Sequence, residues 1–82
     1  MNRSQVYDLI NLERDQQAVE WGGPHEWGSG DCSSADVADI VKAAVLAEEC
    51  GEVARAVLDG KALRSELVQV AAVAVAWLES ME

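Results

Sequence analysis

Two short runs of this 82-residue chain place acids at a spacing that can do chemistry. Glu48, Glu49 and Glu52 fall in the run Glu-Glu-Cys-Gly-Glu, and Glu66 is followed three residues later by Gln69. On a helix turning about 100° per residue, Glu49 and Glu52 lie roughly 60° apart on one face. That face also carries Val45, Leu46, Val53 and Ala56, with Lys42 upstream, so the carboxylates point toward an apolar side. Glu66 and Gln69 share a face with Leu63, Val70, Val73 and Trp77 in the same way. Where two such faces meet, three carboxylates and an amide converge in a half-buried pocket. Bare like charges there repel and lose hydration, and a cation offsets both costs. Oxygen donors alone suit Mg²⁺ or Mn²⁺ rather than zinc or copper. Because Mg²⁺ usually completes its shell with water and substrate phosphates, the pocket suits a nucleotide polyphosphate. The competing reading of acids at helical spacing is a solvated helix face.

Helices must position these residues. A first helix is expected over about 4–20, where Gly and Pro are absent and Val6, Leu9, Ile10 and Leu12 sit near helical spacing, although residues 13–17 are all polar. Residues 22–30 hold four of the six glycines, the only proline and the only histidine, and must form a loop. Ser33 and Asp36 then resemble a capping box for a second helix over about 35–58, with Gly60 as its stop. A third helix is expected over about 61–81, antiparallel to the second because the link is so short. In residues 67–78 eleven of twelve side chains are apolar, which leaves that helix almost no polar face. Such a helix needs cover on all sides. The expectation is therefore an all-α chain of three helices forming one domain, whose antiparallel pair is completed to a four-helix bundle by a second copy.

Composition narrows the partners. Fifteen acids against six bases give a formal charge of −9, which argues against a nucleic-acid polymer because the few basic residues are scattered. The apolar stretch of twelve residues falls short of the ~20 that span a bilayer, so no membrane is expected. The polar start Met1-Asn2-Arg3-Ser4 lacks a signal-peptide core, and a cytoplasmic chain with reduced cysteines is the expectation. Cys32 and Cys50, with one histidine, do not make a zinc pattern. Cys50 reads as a small packing residue.

The run Val45-Leu46-Ala47-Glu48-Glu49-Cys50-Gly51-Glu52-Val53-Ala54 and the later Glu66-Leu67-Val68-Gln69-Val70 resemble the all-α nucleotide pyrophosphohydrolases of the MazG type. Their signature is an E-x-x-E helix followed by an E-x-x-D helix. The resemblance covers about residues 40–80, and the ending also looks like small MazG-like proteins of actinobacteria and their phages. It implies Mg²⁺-dependent cleavage of an NTP or dNTP to the monophosphate and pyrophosphate. By the same resemblance Glu49, Glu52 and Glu66 are metal ligands; in the mechanism that such a site supports, Glu48, or one of the ligands such as Glu49, orients the attacking water and serves as the base. Gln69 stands where the pattern has aspartate, which leaves a carbonyl oxygen but no charge. A weakened relative that only binds nucleotide, or an acidic helical interaction module, is the alternative that Gln69 raises. A phosphoribosyl-ATP pyrophosphatase shares the helices and metal chemistry, but no basic pocket for its extra phosphate is visible.

Lys42, Lys61 and Arg64 are the nearest cations for phosphate oxygens, each with an ordinary surface charge as its other reading. Trp27 and His25, with Trp21, are candidates to hold a base, since a glycine-rich loop lets rings approach a ligand closely. Their alternative role is to clamp the loop onto the helices. Trp77 is expected in the core or at a subunit interface.

Overall fold

The computed structural model describes residues 1–81. Helix α1 spans Arg3–Trp21, α2 spans Asp39–Asp59 and α3 spans Leu63–Glu79. Between α1 and α2 the chain makes a small antiparallel hairpin from β1 (Pro24–His25) and β2 (Gly28–Ser29). Helix α1 starts earlier than expected because Asn2 caps it. The Asn2 side chain accepts from the Gln5 backbone, and the Gln5 side chain accepts from the Asn2 backbone, each at 2.9 Å.

Helix α2 starts later than the expected position 35, because the residues proposed as its capping box are used elsewhere. Ser33 donates its backbone N–H and its hydroxyl to Asp31 Oδ1. Asp36 accepts from the Ser29 backbone at 2.8 Å and so anchors the hairpin. Ala38 precedes α2 without a side-chain cap. At the other end Gly60 ends the helix as expected, with φ +71° and its N–H returned to the Ala56 carbonyl. Ala62 also takes a left-handed φ of 63°, so the chain reverses within three residues and α3 begins at Leu63.

Two contacts fix the direction of α3 against α2. Lys42 Nζ donates to Ser80 Oγ at 2.8 Å and Trp77 Nε1 donates to Asp39 Oδ1 at 3.1 Å, so the start of α2 meets the end of α3. The pair is antiparallel. Helix α3 packs against both α1 and α2, whose backbones do not approach each other. It is the middle member of the three, and a cleft opens between α1 and α2 above it.

The core is small. Its buried apolar residues are Val37, Ala56, Ala72, Val73 and Ala76, together with the charged Arg14 and Lys42. Lys42 at 2% exposed corrects the reading of it as a surface charge. Cys50 is exposed rather than packed, and Trp77 is half-buried. No described helix is long and apolar enough to cross a membrane.

Candidate functional site

The cleft between α1 and α2 holds a pocket of about 200 Å³. Gln17 and Trp21 enter it from α1, His25 and Trp27 from the hairpin, and Glu48 and Glu49 from α2. Val73 of α3 lies among the lining residues and forms part of the floor. The hairpin carries its rings across the mouth as a connected set. His25 stacks on Trp27 with ring centres 4.7 Å apart and planes 8° from parallel. It also sits 6.0 Å from the Trp21 ring and places Nε2 2.9 Å from the Trp21 carbonyl oxygen. Two residues expected to hold a base and two carboxylates expected to do chemistry therefore line one pocket.

Burial sets the electrostatics of the acids. Glu49 is half-buried on α2 and Glu66 half-buried on α3, and the Oε2 atom of each is buried without a hydrogen-bond partner. Burial pushes the Glu49 carboxyl above the usual range, and the charges of Glu66, Glu48, Glu52 and Glu13 add to the rise. Glu13 of α1 is raised by burial, then by Glu20 and Glu66. All of these neighbours are acids. The ion pairs present among the described residues join Arg14 to Asp31 and Glu79, and none involves these acids.

These carboxylates form a charge cluster rather than a closed cage. Glu52 is exposed, Gln69 is half-buried one turn beyond Glu66, and no three His, Cys, Asp or Glu side chains among the described residues close on one ion. The orphaned oxygens of Glu49 and Glu66 are of the donor type that a hard divalent cation takes.

The expected phosphate cations are placed away from this pocket. Lys42 is tied to Ser80, Arg64 lines a separate hollow between α1 and α3, and the exposed Lys61 sits in the turn between α2 and α3. None of the three lines the pocket. The same holds of Glu52, Glu66 and Gln69.

Sequence reading missed Glu13, Arg14, Gln17 and Asp31. Arg14 is 8% exposed and holds the loop to α1 and to the end of α3. Its Nη1 donates to Asp31 Oδ2 at 3.0 Å and to Gln17 Oε1 at 3.2 Å, and its Nε donates to Glu79 Oε1 at 2.8 Å. Burial opposes the charge of Arg14, but the bonds to Glu79 and Asp31 outweigh it and leave the guanidinium more firmly protonated than usual. Asp31 is also opposed by burial, yet the Ser33 hydrogen bonds and Arg14 hold its carboxyl below the usual range. The signal for Glu13 and Gln17 was their spacing with Trp21, three positions four apart that share a helix face. Cys32 lines the pocket as a protonated thiol, raised by burial and by Asp31 against smaller opposing effects of Lys42 and Arg14.

Comparison with models of known protein families, with curated proteins and with solved structures finds no match for this chain.

Proposed function

We propose that this chain is a divalent-cation-dependent nucleoside triphosphate pyrophosphohydrolase of the MazG type, converting an NTP or dNTP to the monophosphate and pyrophosphate. One observation carries the reading: a single pocket is lined by the ring set of Trp21, His25 and Trp27 and by Glu48 and Glu49. A base stacks on the rings while the phosphates run toward the acids. Glu49 and Glu66 are the residues to hold Mg²⁺ or Mn²⁺, with Glu52 and the Gln69 carbonyl as further oxygen donors. Such a cation, when bound, offsets phosphate charge and polarises the phosphoryl group. Exposed Glu48 faces the pocket and is free to orient a water and accept its proton. The water oxygen bonds to the α-phosphorus, the bond from that phosphorus to the α–β bridging oxygen breaks, and pyrophosphate departs with the electron pair.

Pyrophosphate release from a panel of NTPs and dNTPs, with and without Mg²⁺ or Mn²⁺, tests the proposal. The expected result is cation-dependent release that Glu52→Gln lowers by roughly a hundredfold. No cation-dependent turnover on any nucleotide overturns it and leaves the attenuated nucleotide binder as the reading. Gln69→Asp separates the two further: a large gain marks the natural chain as weakened, and a loss places glutamine in a working site.

The working form is proposed to be a homodimer or higher oligomer. The chain exposes 5633 Å², whereas a folded monomer of this mass exposes about 4,800 Å². The excess is close to the roughly 800 Å² that each partner buries in a standard interface. Helix α3 exposes Leu63, Leu67 and Leu78, at 40%, 51% and 65%, and the first two line an apolar hollow of about 390 Å³ together with Val6 and Ile10 of α1. The open face thus involves α1 and α3, in addition to the α2 and α3 pairing expected of a four-helix core. Sedimentation should give a multiple of 8.8 kDa, reduced to one chain by Leu67→Glu. A stable wild-type monomer contradicts it.

A further inference from the structure

Gln17 projects into the aromatic pocket from α1, one turn before Trp21. Its amide is oriented by a neighbour. A guanidinium has donors and no acceptor, so the Arg14 Nη1 contact at 3.2 Å must fall on the amide oxygen. The amide nitrogen is then turned away from Arg14, and it donates to no group in the hydrogen bonds of the described residues. Asp31, the carboxylate of the same pocket region, is already engaged. Its Oδ2 accepts from Arg14 and its Oδ1 from Ser33. His25 Nε2 is likewise taken up with the Trp21 carbonyl. Gln17 therefore brings to the pocket lining an amide N–H₂ that donates to no group in the hydrogen bonds of the described residues, while Asp31 and the His25 Nε2 are spent on holding the loop.

Resting on the nucleotide reading above, we infer that Gln17 reads the base edge by donating to a carbonyl oxygen, so that the pocket selects carbonyl-bearing bases over adenine. Uracil presents carbonyl oxygens, whereas adenine offers only ring nitrogens, with N1 and N7 beside an exocyclic amino group that would face the same donor, which makes UTP against ATP the sharpest contrast. The orientation of the amide is set before any ligand arrives, and the Arg14 bond keeps it from turning its oxygen toward the base. A hydrogen bond read in this way is worth about a tenfold preference.

The test is calorimetric titration of wild type, Gln17→Leu and Gln17→Glu with UTP and with ATP in the presence of Mg²⁺, with circular dichroism to verify folding of each variant. Wild type is expected to favour UTP by about tenfold, and Gln17→Leu to lose that preference by weakening UTP alone. Gln17→Glu, which keeps an acceptor for Arg14 but replaces the donor by a second acceptor, is expected to shift the ratio toward ATP with its exocyclic amino group. Equal wild-type affinities, or one UTP to ATP ratio in all three proteins, overturns the inference while leaving the nucleotide reading in place. Wild type that binds neither nucleotide overturns both.

Discussion

Arg14 and Glu49 both carry a charged group into the packed part of this small chain, and their surroundings treat them in opposite ways. Arg14 is met by Asp31 at 3.0 Å and Glu79 at 2.8 Å, with Gln17 as a third acceptor. Its charge is balanced and its donors are used. Glu49 faces Glu66, Glu48, Glu52 and Glu13, and the Oε2 atoms of Glu49 and Glu66 have no partner. A buried charge that is fully paired fastens structure, here the loop to α1 and to the end of α3. A buried charge surrounded by its own sign destabilises the empty protein and gains when a cation arrives. The contrast separates a residue that holds the fold from residues whose charge the fold leaves unbalanced.

The largest expected effect comes from removing the paired charge. Arg14→Ala strands Asp31 and frees both the loop and Glu79, at a cost of about 3 kcal/mol. For a domain of this size that lowers the thermal midpoint by more than about 10 °C. Glu49→Gln should move stability the other way when no divalent cation is added, raising the midpoint by a few degrees, because a repelled charge is lost and the shape is kept. Thermal unfolding of the two variants side by side checks both. If Glu49→Gln destabilises as Arg14→Ala does, the acids are paired in some other way and the contrast fails.

A smaller effect should appear in the pH dependence, with opposite signs for the two regions. Glu49 and Glu13 are raised in the folded state, so the fold binds more protons than the unfolded chain as these groups titrate. Stability from this source is present below their unfolded values and lost as pH rises through the folded ones. Asp31 is lowered, so its contribution is present above the unfolded value and lost as pH falls through the folded one. Urea midpoints across the acid range, without divalent cation, should show both slopes. Glu49→Gln should flatten the upper one and Asp31→Asn the lower one.

Much of the helical plan was legible in the residues. Gly60 marks the end of α2 because only a residue tolerant of positive φ reverses a helix so tightly there. The short link makes α2 and α3 antiparallel, and the spacing of Glu49 with Val45, Leu46 and Val53 marks the face that becomes half-buried. The remainder depends on partners far apart in the chain. Ser33 looks like a cap until Asp31 takes its N–H and hydroxyl. The run 13–17 reads only as polar, because nothing local reveals that Arg14 will meet Glu79, 65 positions away. Lys42 reads as a surface charge for the same reason, since Ser80 is 38 positions distant. Glu13 joins the acids only because α1 and α2 both lie against α3. In the candidate site, the two glutamate runs were visible as periodicity, whereas the orientation of the Gln17 amide required Arg14 to be in place.

The central claim is that the unpartnered acids bind a divalent cation. Calorimetric titration of the metal-free protein with Mg²⁺ and with Mn²⁺ near neutral pH, beside the double variant Glu49→Gln with Glu66→Gln, tests it most directly. Saturable binding by the natural chain, with a rise in its thermal midpoint as cation is added and the loss of both in the variant, is the outcome the account predicts. Absence of saturable binding up to about 10 mM cation, a concentration at which even millimolar affinity would register, or equal binding by the double variant, would contradict it.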